Sequence, residues 1–189
     1  MVAGSGRAGR DRGPRVTGAP FRAAVLTVSD GVTAGTREDL SGPEAVSRLR
    51  EAGLDVVLVA VVPDDRDAVA VRLRQYVDRD HLDLVVTTGG TGFAPRDVTP
   101  EGTRDVLEKE APGLAELLRR ETGGATPFAA LSRGVAGIRA GTVIVNLPGS
   151  PKGVREYLNI LLPLLPHALR LAAGERPDHT PPDSGQPKP

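Results

Sequence analysis

The sequence predicts an α/β fold, a three-layer open and mostly parallel sheet with helices on both faces. Short apolar runs alternate along the chain with segments of helical periodicity, which is the pattern of a sheet connected by helices. Some runs, such as residues 54–62, are almost continuously apolar, as expected of a parallel strand covered on both faces. Glycines, prolines and capping residues separate the runs, so each element has a predicted start and end.

The first strand is predicted at residues 23–28, where a β-branched run ends at Ser29-Asp30-Gly31. Ser41 and Glu44 have the spacing of a capping box, which predicts a helix from Ser41 to about Ala52. The second strand is the 54–62 run, and Pro63-Asp64-Asp65 opens the next helix. Its apolar residues recur at helical spacing at Val69, Leu73, Tyr76 and Val77.

In the second half of the chain, strands are predicted at 84–88 and 142–147. Thr99-Pro100 predicts an N-cap followed by a helix to about Lys109, and a shorter helix is expected at 114–121. Ser150-Pro151 repeats the cap-and-proline arrangement and opens the last helix. We expect Pro163 and Pro166 to bend or interrupt that helix.

Composition narrows the class of protein. The chain has 189 residues with 24 basic and 24 acidic side chains, so no bulk attraction to nucleic acid or to an anionic membrane is expected. Aromatic residues make up only 3%, which argues against stacking platforms for single-stranded nucleic acid. The chain has no cysteine, which excludes disulfides and thiolate metal sites and fits a reducing cytoplasm.

We expect one folded domain at residues 21–174. Residues 1–20 are rich in Gly, Arg and Ala, and residues 175–189 are rich in Pro and polar groups, so both are predicted to be flexible tails. The apolar runs are too short to cross a bilayer, and no apolar segment follows the N-terminal arginines as in a secretory signal. These features predict a soluble cytoplasmic protein.

Ligands of open α/β sheets bind outside the carboxyl ends of the strands, so the residues directly after each strand are the candidates for a site. Each such segment combines small residues with polar or charged ones. The four segments are 27–30 with Thr27, Ser29 and Asp30; 63–65 with Asp64; 88–92 followed by 96–100; and 146–153 with Pro148, Gly149, Ser150 and Lys152.

The sharpest of these segments is Thr88-Gly89-Gly90-Thr91-Gly92. Three glycines in four positions permit close backbone approach and positive φ, and successive N–H groups can then form a nest for phosphate. A tight strand-to-helix turn is the structural alternative. The segment is neither a Walker loop nor the dinucleotide fingerprint, because its spacing differs from both.

Asp97 follows the glycine loop by five residues and is a candidate ligand of Mg²⁺, which prefers one or two carboxylates together with phosphate oxygens. The alternative is a local role, in which Asp97 pairs with Arg96 or Arg104 or helps to cap the helix. Asp64 is a weaker candidate ligand of Mg²⁺, because an Asp directly before a helix is a common N-cap.

The remaining candidates have equally plausible structural roles. Ser29 and Asp30 fit either a ligand contact or an Asx-type turn, and Ser150 fits an anion site at a helix N-terminus. Lys152 would add a charge or simply face solvent, and Pro148-Gly149 would be a turn. Thr122, before Gly123-Gly124, is typical of a helix C-terminus. The three histidines are too far apart to suggest a metal cluster or a catalytic triad.

Four segments together resemble the Mog/MoaB family, which includes domains of gephyrin and of the plant Cnx enzyme. The likeness covers about residues 22–174. Its most specific portions are 88–92 (TGGTG), 95–101 (PRDVTPE), 126–133 (TPFAALSR) and 146–152 (NLPGSPK).

The resemblance implies a molybdopterin-binding α/β fold, usually homotrimeric, that converts molybdopterin and ATP into adenylyl-molybdopterin and pyrophosphate with a divalent cation. The family's two functional aspartates match Asp64 and Asp97, its glycine loop matches Gly89 to Gly92, and its Ser-Asp matches Ser29 and Asp30. A hydroxyl implicated in adenylyl transfer falls at Thr122, where some members have Ser. Transient contacts with other enzymes of the molybdenum cofactor pathway fit this role.

On this interpretation Asp64 and Asp97 hold Mg²⁺ on ATP, the glycine-loop amides hold phosphate oxygens, and Ser150 and Lys152 help to bind the anionic ligand. The reaction then needs positioning and charge neutralisation more than covalent chemistry. Three alternatives stay open: a catalytically silent MoaB-type binding protein, the related domain of longer molybdate-inserting or nucleotide-processing proteins, and a scaffolding role.

Overall fold

A computed structural model describes residues 18–124 and 126–175, so residues 1–17 and 176–189, nearly all of the two predicted tails, lie outside the described part. The described residues form six strands: β1 Arg22–Val28, β2 Asp55–Val62, β3 Leu84–Thr88, β4 Lys109–Glu110, β5 Ala136–Arg139 and β6 Thr142–Leu147. They also form seven α-helices: α1 Asp30–Thr33, α2 Ser41–Glu51, α3 Arg66–Arg74, α4 Thr99–Arg104, α5 Pro112–Gly123, α6 Pro151–Leu161 and α7 Leu165–Ala172. A π-helical turn at Gln75–Arg79 extends α3, and a 3₁₀ turn spans Pro127–Leu131.

The six strands make one sheet in the order β2-β1-β3-β6-β5-β4. The first four run parallel, whereas β5 is antiparallel to both β6 and β4. Thr27 is in register with both Val61 and Thr88, and Thr88 with Leu147. The carboxyl ends of the four parallel strands are therefore level along one edge of the sheet.

Helices cover both faces of the sheet, which confirms the predicted three layers. One core packs Leu49 of α2, Leu118 of α5 and Leu158 of α6 against residues of β1, β3 and β6. The other packs Leu73 of α3 and Tyr76 of the π-helical turn against the opposite side of the same strands. Burial on both faces explains why β3 and β6 contain no charged residue and are mostly apolar.

The prediction that the second strand is covered on both faces is wrong. β2 is an edge strand, and its Val57, Val59 and Val61 are 36, 53 and 38% exposed. These alternate residues share one face. Among the described residues, the helices that flank β1 on that side leave this strip of β2 open.

The predicted helix from Thr99 to Lys109 is also too long. α4 ends at Arg104, and Lys109–Glu110 pairs with Ile138 and Gly137 of β5 as a short antiparallel strand. Pairing with a distant segment overrides the local helical pattern there. The antiparallel strands β4 and β5 were not predicted from the sequence.

The helices are capped by polar side chains as expected, but the capping residue is not always the predicted one. Asp39, not Ser41, caps α2, because its Oδ1 accepts from the N–H groups of Ser41 and Gly42 at 3.1 and 2.9 Å. Asp65 caps α3, and Ser150 caps α6 as predicted. A turn at residues 162–164 separates α6 from α7, so the predicted interruption by proline is confirmed. Within the part of the chain that the structure describes, no helix is long and apolar enough to span a membrane.

Candidate functional site at the carboxyl edge of the sheet

The chain leaves β1 for β2 on one side and later places β3 on the other side of β1, so a topological switch point lies between β1 and β3. The glycine loop after β3 starts at this point. Gly89 has a φ of +95°, and a Cβ there would overlap the carbonyl oxygen of Val28 at the end of β1. The loop is therefore packed closely against the end of β1, and it lies at the position where ligands of such sheets bind. The close approach of a phosphate to its backbone stays a prediction.

The start of α4 holds the glycine loop in place. The hydroxyl of Thr99 donates to the carbonyl of Gly89 at 2.8 Å, and the Thr99 N–H donates to the carbonyl of Gly90 at 3.0 Å. Thr99 is fully buried. Because its side chain and backbone fix two successive carbonyls, the loop has a defined shape before any ligand binds.

A buried network of polar side chains holds Thr99 in its contact with the glycine loop. Asn146 of β6 donates to the hydroxyls of Thr87 and Thr103, both at 2.9 Å, and Thr103 in turn donates to the Thr99 carbonyl at 2.8 Å. The side-chain amide oxygen Oδ1 of Asn146 accepts from the backbone N–H of Val135 at 3.1 Å. Fully paired buried networks of this kind fix one arrangement of the surrounding elements.

Asp30 and Asp64 follow β1 and β2, and each is hydrogen-bonded to the backbone of the other. The Asp30 N–H donates to Oδ2 of Asp64 at 2.7 Å, and the Asp64 N–H donates to Oδ1 of Asp30 at 3.0 Å. The guanidinium of Arg96 donates to both oxygens of Asp30 at 3.0 Å. Arg96 thus joins the loop after β3 to the end of β1, and it pairs with Asp30 instead of Asp97.

Asp64 and Asp97 both border the glycine loop. A Cβ added at Gly90 would lie 2.9 Å from Oδ1 of Asp64, and one at Gly92 would lie 2.8 Å from Oδ2 of Asp97. Oδ2 of Asp97 accepts from the Ala94 N–H at 2.9 Å, a bond within its own loop. Both carboxylates therefore lie against the glycine loop. A side chain at Gly90 or Gly92 would collide with one of them.

Partial burial raises the pKa of Asp64 above its ordinary value, and the negative charges of Asp30 and Asp97 raise it further. The hydrogen bond from the Asp30 backbone and the positive charge of Arg96 oppose this rise. A carboxylate whose charge is disfavoured in this way gains from a nearby cation.

The carboxylates fit a divalent cation shared with a phosphate ligand. The described residues contain no group of three or more His, Cys, Asp or Glu side chains that could hold a metal ion alone. Mg²⁺ does not require one, since it commonly takes one or two carboxylates plus substrate phosphates and water. Oδ1 of Asp64, which borders Gly90, takes no hydrogen bond from the described residues. This donor set suits Mg²⁺ better than Zn²⁺.

Other predicted site residues lie at the same edge, but each has a local hydrogen-bond partner. Thr27 is buried, and its hydroxyl donates to Asp39 at 2.6 Å. Ser29 is 8% exposed and accepts from the Val32 N–H at 3.3 Å, as the cap of α1. Thr91 is also buried, and its carbonyl accepts from the Arg133 N–H at 2.8 Å. Their contact with a ligand stays a prediction.

The segment after β6 packs directly against the glycine loop. Thr88 donates to the carbonyl of Pro148 at 2.7 Å, and a Cβ at Gly149 would lie 3.1 Å from the Cα of Gly89. Ser150 Oγ accepts from the Gly153 N–H at 3.1 Å, so it caps α6. The Lys152 side chain is 71% exposed, and its ammonium lies 3.8 Å from the carboxylate of Glu156, so its contact with an anionic ligand stays a prediction.

Thr122 lies in the last turn of α5 and is 4% exposed. Its hydroxyl donates to the Leu118 carbonyl at 2.7 Å, a common bond for a threonine inside a helix. Among the described residues, no hydrogen bond connects Thr122 to the glycine loop. Its role in adenylyl transfer therefore stays a prediction without a supporting contact.

A cavity of about 420 Å³ opens beside Asp97, and Phe93, Glu101 and Arg133 are among the residues that line it. Phe93 is 69% exposed at its rim. Arg133 was given no role from the sequence, nor was Arg96 as a partner of Asp30. Arg96 lies in the PRDVTPE segment and Arg133 in the TPFAALSR segment, and membership in these two segments is the sequence signal that could have made them candidates.

The fold and this edge define a class: an α/β domain with a glycine loop and two carboxylates at a switch point, suited to a phosphorylated ligand and a cation. A family model described as "probable molybdopterin binding domain" matches residues 24–167. The chain belongs to this family of molybdenum cofactor biosynthesis proteins.

Several relatives support this assignment. The molybdopterin adenylyltransferase of Helicobacter pylori strain J99 is 43% identical over 152 residues, which are 79% of this chain and 86% of that protein. The molybdenum cofactor synthesis protein cinnamon of Drosophila melanogaster is 46% identical over 148 residues, but the chain spans only 25% of its length. The crystal structure of the molybdopterin biosynthesis enzyme MoaB from Thermus thermophilus has a TM-score of 0.78 at 51% identity, covering 82% of this chain and 98% of that one.

Proposed function

We propose that this protein is a molybdopterin adenylyltransferase, which transfers AMP from ATP to the terminal phosphate of molybdopterin and releases pyrophosphate. The observation that carries the proposal is the placement of Asp64 and Asp97 against Gly90 and Gly92 of one loop. The names of the Helicobacter relative and of a second molybdopterin adenylyltransferase, from Haemophilus influenzae at 39% identity over 71% of that protein, support the same reaction.

In this reaction an oxygen of the molybdopterin phosphate attacks the α-phosphorus of ATP, and the bond to the β-phosphate oxygen breaks. The glycine loop, kept in shape by Thr99, would offer its N–H groups to phosphate oxygens. The backbone N–H of Lys152 in the first turn of α6, together with the Lys152 ammonium, would take a second anionic group. Both substrates would thereby be oriented before reaction, which accounts for much of the rate of such transfers.

Asp64 and Asp97 would hold Mg²⁺ on the ATP phosphates, where the ion would neutralise charge on the departing pyrophosphate. Ionised Asp64 is then required, and the cation would offset the burial that raises its pKa. Arg96 would keep Asp30 neutralised, so that Asp30 does not compete for the cation.

The experiment is to mix the protein with ATP, Mg²⁺ and molybdopterin and to detect AMP-linked pterin by mass spectrometry. Formation of the adenylylated product supports the proposal. A protein that binds molybdopterin without forming product would instead be a silent MoaB-type binder, which is the competing function.

We also propose that the protein is a cytoplasmic homotrimer, in transient contact with other enzymes of the pathway. The apolar strip of Val57, Val59 and Val61 on β2 supports self-association, because an exposed apolar edge strand is normally covered. The absence of cysteine from the sequence fits the cytoplasm.

A further inference from the structure

Arg133 lies between the 3₁₀ turn and β5, far along the sequence from the glycine loop. Its side chain is 34% exposed, and all of its hydrogen bonds reach the segment after β3 or the start of α4. Nε donates to the carbonyl of Gly92 at 2.6 Å, and Nη2 donates to the carbonyl of Asp97 at 2.5 Å. Nη1 donates to the carboxylate of Glu101 in the first turn of α4.

These acceptors mark the two ends of one loop, residues 92–97. The loop has its own internal bonds, in which Ala94 and Asp97 each donate a backbone N–H toward the other. The single guanidinium joins the loop's first carbonyl to its last one. The backbone N–H of Arg133 also donates to Thr91 at 2.8 Å, so the contact extends to the glycine loop.

We propose that Arg133 is a positioning residue that holds the 92–97 loop closed and thereby fixes the carboxylate of Asp97 beside the glycine loop, with Glu101 orienting the guanidinium. This inference rests on the proposed adenylyl transfer, since it assigns a role to Arg133 in that reaction. Arg133 acts through Asp97 and needs no contact with substrate.

The chemistry of the side chain explains why arginine is required. The acceptors lie in three directions, and a planar guanidinium presents five donors in a fixed fork. A lysine ammonium at the same position would keep the charge but could not join both loop ends and Glu101 at once. Arg133→Lys is therefore expected to behave like Arg133→Ala and not to restore function.

Arg139 offers a matched control for a merely structural role. It binds both oxygens of Asp78 at 3.0 and 2.9 Å and donates to the carbonyl of Val106 at 3.2 Å, so it has the same partner types. Its partners lie away from residues 92–97. Arg139→Ala should lower general stability without loosening that loop.

The test combines hydrogen exchange with steady-state kinetics on the full chain. In Arg133→Ala and Arg133→Lys, amides of the 92–98 peptide should exchange at least about tenfold faster, while peptides from β3 and β6 stay unchanged. In the same variants kcat should fall by about 10- to 100-fold, with KM for ATP changed by less than about threefold. Arg139→Ala should leave both the 92–98 exchange and kcat within about twofold of the natural protein.

The proposal is overturned if the 92–98 amides of Arg133→Ala exchange at the natural rate, or if Arg133→Lys restores kcat fully. Should Arg133→Ala fail to fold, Glu101→Gln gives the same test with a smaller expected effect, because it keeps an acceptor oxygen and loses only the charge. If the natural protein forms no adenylyl product, the proposed function fails, while the exchange data still decide whether Arg133 closes the loop.

Discussion

Asp30 and Asp64 exchange backbone-to-carboxylate hydrogen bonds of 2.7 and 3.0 Å across the ends of two adjacent parallel strands. This arrangement satisfies two N–H groups that follow the last strand residues. It also holds a carboxylate in a partly buried position where its pKa is raised. Folding therefore disfavours the ionised form of Asp64, as is common where a group is held for function.

Asp64→Asn is expected to stabilise the protein at pH 7 in the absence of divalent cations. A raised pKa in the folded state means that the native protein binds the proton more tightly, so stability from Asp64 is lost as pH rises from 3.8 through the folded-state pKa. Asn removes this loss and can still accept from Asp30. The gain in Tm should therefore shrink as the pH is lowered toward 4.

Asp105→Asn serves as the control, because the pKa of Asp105 is shifted in the opposite direction: the hydrogen bond from the Arg66 guanidinium lowers it. Its variant should be no more stable than the natural protein at pH 7. Equal Tm for Asp64→Asn and the natural protein at every pH would contradict the raised pKa of Asp64. The Asp64→Asn variant should nevertheless lose adenylylation.

Asp97→Asn should lower kcat for adenylylation by about 10²- to 10³-fold, the usual effect of removing one electrostatic group from a reacting centre. The amide oxygen can still accept from Ala94, so the loop and the fold should be retained. Product formation by mass spectrometry and the far-UV circular dichroism spectrum measure the two effects. Turnover at the natural rate would remove Asp97 from the mechanism.

Gly90→Ala should be more damaging than Gly53→Ala, although both glycines have positive φ, +60° and +83°. At Gly53 nothing lies within 4 Å of an added Cβ, so the variant bears only the backbone cost of about 1–2 kcal/mol. At Gly90 the Cβ would also meet the hydroxyl of Thr99 and the carboxylate of Asp64.

Urea unfolding and activity distinguish the two glycine variants. Gly53→Ala should lose stability and keep its kcat, whereas Gly90→Ala should lose both. Equal losses of stability, with activity retained in each, would mean that the glycine loop tolerates a side chain and is only a turn.

If the protein is the proposed trimer, Val59→Glu should shift it toward a monomer in sedimentation velocity, since a charge on the apolar strip of β2 opposes its burial. Val71→Glu is the control, because Val71 is 62% exposed on α3, away from that strip. It should sediment like the natural protein. A natural protein that sediments as a monomer would refute the trimer itself.

The sequence predicted the layers of the fold and the edge where the site lies, because strand and helix periodicity and glycine placement are local signals. It could not predict that Arg96 pairs with Asp30, 66 residues away, or that Arg133 joins Gly92 to Asp97. It also misplaced the α2 cap at Ser41, because the helix begins one position earlier than that cap requires and Asp39 accepts from the N–H groups of Ser41 and Gly42. Hydrogen bonds between residues that tertiary packing brings together produce no periodic pattern in the sequence.

Hydrophobic periodicity also could not predict that β2 lies at the edge of the sheet. The 54–62 run has the same apolar content as a central strand, yet β2 lies at the end of the sheet. Strand order depends on the path of the connections, and a single sequence records that path poorly.

Gly89 and Gly149 come from different strand ends, and a Cβ on the second would lie 3.1 Å from the Cα of the first. Two separate segments therefore share one gap that has no spare volume. A Cβ at Gly89 would instead overlap the carbonyl oxygen of Val28, so enlargement at each of the two glycines would displace a different neighbour. An alanine at position 149 would need a wider gap between the ends of β6 and β3, whereas an alanine at position 89 would need a wider gap between the ends of β3 and β1.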